Sequence, residues 1–234
     1  RASLNYLDAN SQPLAYVTAT RPSSTSTSGT AVSGAFADLN RTGGAISVLG
    51  AGGFEHQRQE NVTFKFAYDL APDLQAAYTA GLFLNNDHSG VQPYLRNGAG
   101  APVYSGSLNI GGYNYSVAAS SFSNNVYRLD QTHWMHSLSL RTNNGEGAWD
   151  WDIVGSLYDY GKDVQRIPST ALPSAYTGGA GTITDMNGTG WFTIDAKGVW
   201  HPGGMDGANV VSFGMHFDRY ALANNKYKIG RAHV

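Results

Sequence analysis

The feature that most constrains this chain is a side-chain alternation of period two, sustained over runs of about ten residues. In Val62–Asp69 the even positions are Val, Phe, Phe and Tyr, and the odd positions are Thr, Lys, Ala and Asp. A strand sends successive side chains to opposite faces, so one face of this segment is apolar and aromatic and the other is polar. After Leu70-Ala71-Pro72-Asp73 the pattern resumes, with Leu74, Ala76, Tyr78, Ala80, Leu82 and Leu84 on one face. A Pro-Asp turn between two such runs predicts a hairpin.

Two more hairpins are predicted on the same grounds. Trp134, His136, Leu138 and Leu140 lead through Thr142–Gly147 into Trp149, Trp151, Ile153, Gly155 and Leu157. Phe192, Ile194, Ala196, Gly198 and Trp200 lead through Pro202–Gly207 into Val211, Phe213, Met215 and Phe217. Short turns join the members of each hairpin. Long polar segments, Asn85 to Gln131 and Gly161 to Asn187, join one hairpin to the next. The first contains strand-like pieces, Pro102–Leu108 and Gly112–Ala118, and is expected to fold as a protruding hairpin. Ala2–Leu7 and Pro13–Thr20 are expected as strand ends, and Ala45–Gln57 as a lead into the strand at Val62. Ser23–Thr30 is a flexible loop by composition.

Two environments produce such alternation. One is a soluble sandwich with its apolar face in a core. The other is a transmembrane barrel with that face in lipid and the polar face in a lumen. Three features favour the barrel. Soluble strands usually run about five or six residues, whereas nine to eleven tilted residues cross a bilayer. Trp134, Trp149, Trp151, Trp200 and Tyr68 lie near run ends, where amphipathic rings suit the headgroup boundary. Short turns on one side and long loops on the other are the asymmetry of an outer-membrane barrel.

Charge follows the same division. Lys65, Asp69, Arg141, Asp150, Asp152, Asp195, Lys197, His216 and Asp218 all fall in the polar register, and Arg219, at the end of its run, is the exception on the apolar one. The expected class is therefore all-β, an antiparallel transmembrane β-barrel fragment of long meander hairpins with long extracellular loops.

The segments Phe66–Tyr78 and Trp149–Tyr158 resemble barrel hairpins of TonB-dependent outer-membrane receptors, and the resemblance covers most of Val62 to Tyr220. It implies a barrel of about 22 strands around a plug. It also implies location in the cell outer membrane, contact with lipid and with the TonB complex, and active uptake of a scarce small-molecule ligand such as an iron-siderophore. A plug and a TonB box are not recognisable in the sequence. The alternatives are a passive porin and a secreted carbohydrate-binding β-sandwich. Residues 1–228 are read as the partial barrel. Residues 229–234, Ile-Gly-Arg-Ala-His-Val, read as the translation of a sequencing adapter rather than native chain.

Other chemistry finds little support. A net charge of −2 and the absence of Cys argue against nucleic-acid binding and exclude thiol chemistry. His133 and His136 sit on opposite faces of a strand, so a shared metal ion is not expected and both read as interfacial or loop histidines. Asp150 and Asp152 read as lumen-wall polarity rather than an acid/base pair or a Ca²⁺ site. Gly50–Gly53 and Gly178–Gly181 lack the Lys and helix of a phosphate loop and read as mobile loops. The sequons at Asn61 and Asn187 carry no weight in such a protein. No catalytic residue, cofactor or metal is expected, the chain is not read as an enzyme, and the ligand-binding residues are not identified.

Overall fold

The computed structural model describes residues 1–123, 125–142, 147–169, 172–173, 175, 179–204 and 206–230. The fold is all-β. In chain order the strands are β1 (Ala2–Asn10), β2 (Ala15–Thr20), β3 (Thr30–Ala31), β4 (Phe36–Leu39), β5 (Ala45–Ala71), β6 (Leu74–Pro93), β7 (Gly106–Ile110), β8 (Tyr113–Val117), β9 (Tyr127–Thr142), β10 (Trp149–Pro168), β11 (Gly181–Asp185), β12 (Gly190–Trp200), β13 (Val211–Ala221) and β14 (Asn225–Ile229).

Several short strands are continuations of one another. β1 and β2 pair end to end along β5, with Asn10 opposite His56 and Ala15 opposite Gly52. β12 and β11 lie end to end along β10, and β13 and β14 continue beside them. Long antiparallel runs therefore lie side by side in chain order: β1/β2, β5, β6, β9, β10, β11/β12 and β13/β14. This is an up-and-down meander. The sheet is open, with β1 and β13 as edges along its turn end and no pairing between them among the described residues.

All three predicted hairpins are present, and the strands extend well beyond the predicted runs. β5 is 27 residues long, and β6 and β10 are 20 each. The segments expected as long loops are partly strand: β6 continues to Pro93, β9 starts at Tyr127, and β10 continues to Pro168. Turn residues 143–146 and Met205, with Gly178 and residues 231–234, lie outside the described residues. Ile229 closes β14 opposite Gly181.

The Asn85–Gln131 connection does contain a hairpin, β7–β8, but it does not protrude. Leu108, Tyr115 and Val117 are buried against Leu49, Val91, Leu95, Phe122 and Val126. The Ser Oγ of Ser47 and the hydroxyl of Tyr115 meet at 2.7 Å within the same region. These residues and the 3-10 turn Ala119–Phe122 form a cap on the loop end of the sheet, and the cap holds the hydrophobic core. The Ser-rich segment is pinned to it. Ser26 N donates to Gly112 O at 2.8 Å, and Asn109 Nδ2 donates to Ser26 O at 2.7 Å.

The glycines at 50–53 are not a mobile loop. They lie buried inside β5. A Cβ on Gly50 would stand 2.7 Å from Phe122 Cε1 and 2.6 Å from Gln92 O, so only a glycine lets the core ring lie flush on the strand. Gly53 has φ +74 and marks a register shift between Gly52 and Phe54, a β-bulge conformation that glycine adopts without strain.

Candidate functional site

Directly paired residues of antiparallel strands point to the same side, so the register fixes what each face presents. One transverse row reads Phe66, Tyr78, Leu138, Gly155, Ile194 and Phe217. The next row on that face reads Tyr68, Ala76, Leu140, Ile153, Ala196 and Met215. The alternating runs that the sequence shows one strand at a time thus join into a single apolar band across the sheet. The band is bare. Phe66 is 54 % exposed, Phe217 51 % and Met215 66 %.

The band has borders. At the turn end Trp149 stacks on Trp200 with centroids 5.5 Å apart, and Phe213 meets Trp149 edge-on. Towards the loop end the same face turns charged. His56 Nε2 lies 2.7 Å from Asp8 Oδ1, Arg58 lies 3.4 Å from the same carboxylate, and Asp130 is met by Asn86, Arg128 and Lys162. The His56 hydrogen bond, more than any other contact, holds the Asp8 carboxyl below the usual range. Polar groups do sit inside the band, among them Asp159, which is directly opposite Trp134 in the row of Val62 and Leu82. Arg219 pairs with Phe192 at the end of its run, and His136 Nδ1 lies 2.7 Å from the Tyr78 hydroxyl.

The opposite face carries the charges that the alternation assigned to it. One row reads Asp69, Gln75, Arg141, Asp152, Lys197 and Gly214. Arg141 donates to Gln75 Oε1 at 2.7 Å and Gln75 donates to Asp69 Oδ1 at 2.8 Å, so Asp69, Gln75 and Arg141 are linked side chain to side chain. Asp195 and His216 are opposite one another, 2.7 Å apart, in the neighbouring row. Asp152 has Arg141 and Lys197 as cross-strand neighbours, and Asp150 accepts from Thr142 Oγ1 at 3.3 Å.

His133 departs from its expected place. It does lie on the face opposite His136, but it is buried, with 6 % of its surface exposed. Nε2 lies 3.0 Å from Asp163 Oδ2 and Nδ1 lies 3.1 Å from the Tyr158 hydroxyl. Tyr160 stacks on the imidazole with centroids 3.9 Å apart, and Phe83 tilts against it. Gln131 donates to Asp163 at 2.8 Å, and Asn85 donates to Gln131 at 2.9 Å. A chain of polar groups therefore crosses strands β6, β9 and β10 at the point where the cap begins.

A bulge builds this chain. Tyr160 pairs with His133, the register shifts at Gly161, and Asp163 then pairs with Gln131. Had the alternation run unbroken through Gly161, Asp163 would point to the other face; leaving Gly161 unpaired keeps it on the side of His133. The backbone N–H of Asp163 donates to Asn187 Oδ1 at 2.6 Å, so the side chain of this predicted sequon is already engaged. The other sequon, at Asn61, lies within β5.

Beside the histidine lies a shallow concavity of about 280 Å³, bounded by Thr63, Gly81, Phe83, His133, Met135 and Tyr158. Tyr158 also stacks on Trp191 with centroids 4.4 Å apart. Aromatic rings thus gather on the polar face; the alternation itself puts Phe83 and Tyr158 in that register, but it does not show that they meet around His133. Among the described residues no group of three His, Cys, Asp or Glu side chains converges on a metal position. No family model, no curated protein and no solved structure matches the chain.

Proposed function

We propose that the chain is part of an outer-membrane barrel of the TonB-dependent receptor kind, with the apolar band in lipid, the polar face towards a lumen and the cap at the extracellular end. One observation carries the reading: the apolar band is continuous across the sheet and uncovered. A soluble protein rarely leaves more than a few hundred Å² of contiguous apolar surface bare. A sandwich would place a second sheet over it, and none lies there among the described residues. From Leu74 to Leu84 the apolar register rises ~33 Å along the strand, or ~25 Å if the strand tilts by about 40°. That matches the apolar height of an outer-membrane barrel.

The long runs would form an arc of a barrel that the family resemblance puts at about 22 strands. Active uptake of a scarce small molecule such as an iron-siderophore, driven by TonB, comes with that resemblance. The packed cap favours ligand capture over the free diffusion of a porin, because it lies against the polar face and narrows the passage there.

Spin labels in the full-length protein, reconstituted in lipid vesicles, test the reading. Labels at Phe66, Ile153 and Phe213 are expected to be quenched by a lipid-soluble reagent. Labels at the adjacent Lys65, Asp152 and Ser212 are expected to escape it. Equal quenching at all six positions, or protection of all six, would mean that these strands do not span a bilayer.

A further inference from the structure

The cap contains a cavity of about 350 Å³, walled by the segment Val32–Ala37, by Ser47 of β5 and by the β7–β8 turn, with Arg21 at its rim. Small-molecule pockets start at about 300 Å³, so the space suits a small ligand. Backbone pairing fixes the wall. Val32 N donates to Asn109 O at 3.1 Å, and Ser33 and Arg96 exchange both of their backbone hydrogen bonds at 2.9 Å.

Arg21 is the one charged residue among the described residues that line this space. Its backbone N–H donates to Ala45 O at 3.0 Å, which continues the β2–β5 ladder beyond Thr20. Ala19 lies opposite Ser47, so Arg21 projects on the same side as Ser47 and one row further along. The guanidinium lies over the Tyr113 ring, 5.6 Å from its centroid, within the range of a cation–π contact. Among the described residues it forms no ion pair.

The floor of the cavity supplies a second donor. Ser47 and Tyr115 are 6 % and 4 % exposed, and their hydroxyls meet at 2.7 Å. Two hydroxyls carry two protons, and the bond between them uses one. Neither makes a further hydrogen bond among the described residues, so one buried O–H is left without an acceptor in the protein. A positive charge without a counter-charge and a spare buried donor therefore face one space that no described Asp or Glu lines.

We infer that this cavity binds a small organic carboxylate. The Arg21 fork matches the two carboxylate oxygens in geometry and charge, and one of those oxygens accepts the spare hydroxyl proton. The apolar body of the ligand lies against Val32, Ala35 and Ile110. An inorganic anion would satisfy the donors but leave those apolar walls in water. The site belongs to the packed half of the molecule, so it stands whether or not the apolar band faces lipid.

Benzoate is the probe, and benzamide, of the same shape without the charge, is its control. With the full chain refolded in detergent micelles, calorimetry is expected to show saturable benzoate binding, with benzamide about tenfold weaker or worse. Arg21→Gln should weaken benzoate by about tenfold or more and leave benzamide unchanged, and Arg21→Lys should restore only part of the loss, because an ammonium lacks the planar fork. Ser47→Ala combined with Tyr115→Phe removes both hydroxyls at little change of shape, a replacement that folding tolerates, and should weaken benzoate by about tenfold. Either change alone leaves one proton for the ligand and should cost less. Equal affinity for benzoate and benzamide, unchanged benzoate affinity in Arg21→Gln, or displacement of benzoate by an equal concentration of inorganic phosphate would overturn the inference. If Arg21→Gln fails to fold, the comparison of benzoate with benzamide in the unaltered chain decides the matter.

Discussion

The two ends of the sheet solve opposite problems. In the capped half, Leu49, Leu95 and Phe122 are almost wholly buried, and the 3-10 turn and the β7–β8 hairpin close over the strands. In the half bounded by the short turns, β5 is exposed on both faces from Phe64 to Leu70, and large apolar side chains stand uncovered. A sheet that folds in water buries one face against a second layer. The capped half obeys that rule within its own chain. The other half has no second layer over its apolar face among the described residues.

This contrast can be broken experimentally, starting where the effect is largest. Phe122→Ala should cost ~3–5 kcal/mol, because it opens a cavity in the packed core of the cap. Phe66→Ala should cost much less in detergent, because that ring is 54 % exposed and touches only its neighbours on the sheet surface, Tyr68 among them. Denaturant unfolding of both variants in micelles measures the difference, and equal losses would mean that the band is as packed as the cap. Next, Arg in place of Phe66, Ile153 or Phe213 should cost ~2–4 kcal/mol in a bilayer, and Arg at Lys65, Asp152 or Ser212 far less. Folding titrations into vesicles read this, and a uniform penalty on both faces would remove the distinction between them.

At the boundary, Asp163→Ala should cost ~1–3 kcal/mol by stranding Gln131 and His133 without their shared acceptor. Hydrogen exchange at the backbone of β9 and β10 reports the loss, which should be confined to the rows around His133. The smallest effect is a pH dependence in the capped half. Burial, and then the nearby Glu55, raise the Asp87 carboxyl in the folded state, so it binds a proton more tightly folded than unfolded. Its contribution is fully present below the ordinary carboxylate pKa and is lost as pH rises through the raised value. Stability of the cap should fall across that window, and Asp87→Asn should flatten the profile. An unchanged slope in the variant would assign the titration to another group.

The half without a core was the legible one. Its strands alternate apolar and polar residues, as in Val62–Asp69 and Trp149–Tyr158, and the register confirms the two faces residue by residue. The capped half hid its strands. Asn85-Asn86-Asp87-His88-Ser89 is polar on both faces, so it carries no periodic signal, and only pairing with β5 and β9 shows it to be strand. Arg21, Ser47 and Tyr115 are far apart in the chain, and nothing local connects them. His133 was misplaced because its burial depends on Asp163, which reaches it only after a register shift that alternation cannot foresee. The glycines at 50–53 looked like loop because composition records a missing side chain but not the ring of Phe122 that fills the space.

The bulge at Gly161 also separates the halves of β10 in phase. Below it, each residue's direction is set by counting from the turn, and above it by counting from the cap. Deleting this one residue should leave every pairing in place, Tyr160 with His133, Lys162 with Thr132 and Asp163 with Gln131, because it removes the unpaired residue and turns the bulge into regular ladder. A strand interrupted in this way has two independent frames. Substitutions that adjust the cap can accumulate without reading through into the band, and an unpaired residue at Gly161 takes up a change of phase between the two halves.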